Sequence, residues 1–148
     1  MEERETEATV RTAQTFATTH TNVISELWKP RPSAPVLPWL EANEGEYLIA
    51  APALAEIADG VASAPSPKRE RLLDRLHELL EDHADHIAPF DAAAALAWGQ
   101  ARHSPEVKRR PQPLFDTLIE AIAAARGLTV ATRNTADFQA VATVNPWD

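Results

Sequence analysis

Apolar residues recur along this chain in two rhythms. From Pro67 onward, Leu72, Leu73, Leu76, Leu79 and Leu80 fall three and four apart against Arg, Asp and Glu, which predicts a long amphipathic helix with its leucine stripe in the core. The segment from Leu114 to Arg126 repeats the rhythm, with Leu114, Leu118, Ile122 and Ala125 sharing a face and Gly127 placed to end the helix. Shorter helices are predicted over Asn22 to Trp28, Pro35 to Ala42, Ala53 to Ala62, and Ala92 to Ala101, the last capped by Asp91. The other rhythm is a run of strand-forming apolar residues: EYLIA at Glu46 to Ala50, HIAPF at His86 to Phe90, Leu128 to Thr132, and Ala142 to Val144.

Strands alternating with helices predict an α/β fold, with a central, mainly parallel sheet of about four to five strands and helices on both faces. Such a sheet places its working site beyond the carboxyl ends of its strands. Glu56 and Asp116, on helices adjoining strands, and Asn134, just after one, fall at that end. The chain's 148 residues suit one domain, read as 16–148 behind a polar tail over 1–15.

Composition narrows the chemistry. Without cysteine there is no disulfide framework and no thiolate catalysis, and the chain fits a reducing cytoplasm. No apolar run approaches the roughly 20 residues that span a bilayer, and the N-terminal stretch lacks a signal-like core, so no membrane partner is expected. A net charge of −8 repels polyphosphates at long range, so contact with RNA has to be local. Arg133, the run Lys108, Arg109 and Arg110, and the stretch Lys68 to Arg71 are the candidate contacts.

Four glycines leave no phosphate-cradling loop, and no nucleophile elbow is present. His77 and His83 lie six apart, on different faces of one helix, which argues against a metal cluster with His86. Trp28, Trp39, Trp98 and Trp147 read as core or interface anchors.

Five segments occur in an order that carries further meaning. They are TNVISEL with KPRP just after it (from Thr21), ALAEI at Ala53 to Ile57, the run FDTLIEAIAAARGL containing Asp116, TVATRNTADF at Thr129 to Phe138, and VNPWD at Val144 to Asp148. In this order they resemble the PIN-domain family, and within it the toxin branch of VapC and FitB-like proteins. The resemblance implies an endoribonuclease dependent on Mg²⁺ or Mn²⁺, acting as the toxin of a type II toxin–antitoxin pair, with RNA as substrate, a cognate antitoxin as partner and a homodimer as assembly. Glu56, Asp116 and Asn134 would be catalytic and metal-binding, joined at the metal by Asp137 and His20, with Asn22 and Ser25 supporting the site.

Two departures stand out. His20 occupies the place of the family's first metal-binding Asp, behind a polar TFATT where an apolar strand normally runs, and Asn134 stands where many relatives carry Asp. Imidazole is a poorer partner than carboxylate for Mg²⁺, so cation affinity is expected to fall, unless a softer ion takes His20 as a ligand. An inactive PIN domain kept for dimerisation or antitoxin binding is the alternative. Glu120, one turn after Asp116, reads as part of a solvated face.

Overall fold

The structure is a computed structural model and describes residues 16–105 and 111–148. Among these residues five short strands make one wholly parallel sheet: β1 (Ala17–Thr19), β2 (Tyr47–Ala50), β3 (Ile87–Ala88), β4 (Thr129–Ala131) and β5 (Thr143–Val144), in the order β3-β2-β1-β4-β5. The polar tail expected over 1–15 and the basic run Lys108, Arg109 and Arg110 lie outside the described residues.

The central strand is the one that looked least like a strand. Ala17, Thr18 and Thr19 have no exposed surface, with Thr19 level with Ile49 on one side and Ala131 on the other. Threonine is β-branched and suits the pleat, and the Thr19 hydroxyl donates to Leu48 O at 3.4 Å, so Ala17–Thr19 serve in a buried position without an apolar run.

Helices cover both faces: α1 (Thr21–Ile24), α2 (Val36–Ala42), α3 (Ala51–Ala62), α4 (Lys68–Asp82), α5 (Ala92–Ala101) and α6 (Leu114–Arg126), with 3-10 turns at Ser25–Trp28 and Thr135–Asp137. Alternation along the strands sorts the core. Ala17, Ile49 and Ala131 join Val23, Ile24, Leu40 and Leu76 in one cluster, whereas Ala50, Ala88 and Val130 join Ile119, Ile122 and Phe138 in the other.

Two helices sit in a different rotation from the one their leucines suggested. In α4 only Leu76 and Leu79 are buried, while Leu73 and Leu80 are 42% and 37% exposed, because the helix lies on the core along a narrow stripe. In α6 the buried face is Asp116, Ile119, Glu120, Ile122 and Ala123, leaving Leu114 57% exposed and Ala125 exposed. That rotation turns two acids inward. The helix still ends at Gly127, whose φ of 66° is the left-handed conformation glycine adopts without a Cβ penalty. All four tryptophans are half-buried.

Glu26, with 1% of its surface exposed, anchors the turn that follows α1. Its carboxylate takes the Lys29 ammonium and, at 2.7 Å, the Ser33 N–H. Burial pushes this carboxyl up, but the Lys29 and Ser33 bonds outweigh it and hold the group below the usual glutamate range. A depressed folded value means the stabilisation is complete above the unfolded pKa, about 4.3, and is lost as pH falls through the folded one. Glu26→Gln is therefore expected to flatten the acid arm of stability. Urea midpoints measured between pH 7 and pH 3 check this, and parallel slopes for parent and variant would refute it.

Candidate functional site

The carboxyl ends of β2, β1 and β4 lie side by side at one edge of the parallel sheet, and the region beyond them is the crevice considered below. His20 follows β1 directly, and its N–H donates to Ala131 O at 2.9 Å, so the ladder fixes its backbone before α1 begins. β2 runs straight into α3, which carries Glu56 in its second turn, while the first turn of α6 supplies Asp116.

Within the crevice the His20 ring is held at both nitrogens. Nε2 lies 2.8 Å from Asp116 Oδ1 and Nδ1 lies 3.1 Å from Thr132 Oγ1, with the His20 and Asp116 side chains each 9% exposed. Thr132 Oγ1 also accepts the Asn134 N–H at 3.0 Å, which leaves its own proton to give to Nδ1. A proton on Nε2 would be donated to Asp116, the acceptor it faces. Phe138 stands edge-on to the imidazole, ring centres 5.2 Å apart.

The other acids are engaged as well. Glu56 is half-buried and its Oε1 accepts the Thr21 hydroxyl at 2.6 Å. Glu120 is 4% exposed, which corrects the solvated face expected for it, and its Oε2 accepts the Ala140 N–H at 3.4 Å. Burial raises its carboxyl above the usual range, and neighbouring Asp116 adds to the rise against the lowering bonds from Ala140 and Gln112. The i, i+4 spacing of Asp116 and Glu120 was the signal that both share one inward face.

The remaining candidates spread outward. Asn134 is exposed at the head of the 3-10 turn Thr135–Asp137, and Asp137 is half-buried with its carbonyl accepting the Gln112 side chain. Ser25 Oγ donates to Asn22 O at 3.4 Å, and Asn22 Oδ1 is a buried acceptor with no hydrogen-bond partner among the described residues. Arg133 is exposed, its guanidinium 5.3 Å from the centre of the Trp147 ring. His83 is tied to Tyr47 and Leu79, and a cavity of about 800 Å³ lined by Trp28, Tyr47, Glu78, His83 and His86 holds none of the candidate site residues.

A hard divalent cation needs about six oxygens, several of them charged. Among the described residues no group of three or more His, Asp or Glu side chains is placed to hold a metal ion. His20 has both nitrogens committed inside the protein, Asp116 has one oxygen spent on the ring, and Glu56 is turned to Thr21. The side chains as they stand do not fit Mg²⁺ or Mn²⁺.

Comparison with known proteins places the chain. The family model described as PIN domain matches residues 20–144. VapC ribonuclease Y4jK of Sinorhizobium fredii is 37% identical over 133 residues, covering 86% of this chain and 95% of that protein. Toxin FitB of Neisseria gonorrhoeae is 38% identical over 136 residues, covering 86% and 95%. The crystal structure of FitAcB from Neisseria gonorrhoeae superposes with a TM-score of 0.82 at 35% identity, over 89% of this chain and 99% of that one.

Proposed function

Since the chain belongs to the PIN-domain family, we propose that it is the toxin partner of a type II toxin–antitoxin pair, an endoribonuclease by lineage whose hydrolytic step is held down by His20. The observation that carries this reading is the His20–Asp116 bond at the carboxyl ends of the central strands. Glu56 and Asp116, two acids of the family pattern, stand on α3 and α6, which contact each other, and a ring nitrogen takes the Asp116 oxygen a cation would need. The names of two relatives, a VapC ribonuclease and toxin FitB, support the RNA-directed toxin class.

On this reading the cytoplasm is the working compartment, and among the described residues no helix is long and apolar enough to cross a membrane. With a net charge of −8, RNA is gripped by local cations, Arg133 beside the crevice and the run from Lys108 to Arg110. Leu96 at 73% exposure, Leu114 at 57% and the partly exposed Phe90 and Phe115 supply apolar surface on or next to α5 and α6 for a second copy of the chain. The same bond favours a second reading, a domain that binds antitoxin without cutting RNA.

Co-expression with any small protein encoded beside it tests the toxin reading. The pair is expected to co-purify, with the chain dimeric by light scattering. Failure of any neighbouring product to bind would sink the toxin–antitoxin assignment.

A further inference from the structure

We infer that His20 stands in for the cation as the internal tie of the acidic crevice, so that this chain, as it folds, neither needs nor accepts a divalent metal there. The inference rests on the proposed lineage only in naming the crevice a former metal centre; the geometry of the tie is independent of it. One imidazole joins three elements that converge at the carboxyl end of the sheet. Its backbone N–H extends the β1–β4 ladder, its Nε2 reaches Asp116 on α6, and its Nδ1 reaches Thr132 just past β4. Asp116, 6% exposed, would otherwise carry an unsatisfied oxygen into a nearly dry site, where an unpaired acceptor is costly.

The tie is built rather than incidental. Thr132 is set by the Asn134 N–H, and Phe138, 1% exposed, packs edge-on to the ring, so the imidazole is oriented from three sides. Both ring nitrogens are in hydrogen bonds, so whichever carries the proton, no ring lone pair remains to coordinate a metal without breaking one of them. Glu120 next to Asp116 is met from within the chain as well, by Ala140. Asp116 Oδ1, Glu56 Oε1 and Glu120 Oε2 each meet a partner from within the chain.

The experiment is thermal unfolding of the intact chain and of His20→Asp, each in EDTA and in millimolar MnCl₂. The parent is expected to melt at the same temperature in both buffers, while Mn²⁺ raises the melting temperature of His20→Asp by about 5 °C. Stabilisation of the parent as large as that of the variant would overturn the inference, and so would a variant indifferent to Mn²⁺. If His20→Asp does not fold, the parent alone decides by nitrogen NMR of its imidazole. A slowly exchanging proton on Nε2, unmoved by MgCl₂, supports the tie, and a ring signal that shifts with MgCl₂ overturns it. A variant that binds Mn²⁺ yet leaves RNA intact would keep this inference and defeat the ribonuclease lineage, so the two fail separately.

Discussion

With aspartate in place of His20, the chain cleaves RNA at least about 100-fold faster in Mn²⁺ than it does as it stands. Outer partners of metal ligands already alter affinity or activity by about 10- to 100-fold, and position 20 is where the family pattern puts a ligand itself. The substitution acts twice. It withdraws the ring that holds Asp116 Oδ1 at 2.8 Å, and it adds an anionic oxygen donor at the end of β1, next to Asp116 and one residue before Thr21, the partner of Glu56. Carboxylates brought together in a partly buried site repel one another, and a doubly charged cation relieves that repulsion better than a proton at neutral pH.

His20→Asn separates the two effects, since it removes the ring without adding charge, and it is expected to stay near the parent. A fluorogenic RNA oligonucleotide reads all three proteins, with Asp116→Ala in the aspartate background as the blank. Equal rates for the asparagine and aspartate variants would show that the missing charge is not what limits the chain.

How far these features could be read from the sequence depends on how local their causes are. The alternation of strands and helices was legible because side-chain periodicity is a local property, and the cap at Asp91 and the stop at Gly127 were legible for the same reason. The rotation of α6 was not. Leu114 and Leu118 suggested one face, but the space between α5 and the sheet selected another, and Glu120 went in with Asp116.

Glu26 escaped notice because an acid on a short amphipathic turn reads as surface; only the fold brings Ser33 and Lys29 round to satisfy it. The polar central strand lacks the apolar run that marks a buried strand in sequence, although threonine suits a pleat. The contact between His20 and Asp116 joins residues 96 positions apart, and no local pattern encodes it. Family resemblance marked both positions as ligands, which hid the simpler result that they bind each other.

Phe138→Ala is expected to cost about 3–5 kcal/mol of folding stability, the range for emptying a buried aromatic site. Phe138 is 1% exposed and heads the fully buried side chains of the described residues by volume, yet it comes from an irregular segment between β4 and β5. Its ring closes the cluster of Ala50, Ala88, Ile119, Ile122 and Val130 from outside the sheet, so neighbouring helices cannot collapse into the space without losing their own contacts. The same ring steadies His20, so the variant should also loosen the tie to Asp116. Urea unfolding followed by circular dichroism measures the loss, with an unchanged m-value showing that the cooperative unit is intact. Glu81→Ala, at an exposed position of α4, is the control and should stay within about 0.5 kcal/mol. A loss under about 1.5 kcal/mol for Phe138→Ala, below the range for a buried aromatic, would mean that the segment after β4 does not cap this core, and the imidazole would then lack the wall that fixes its orientation.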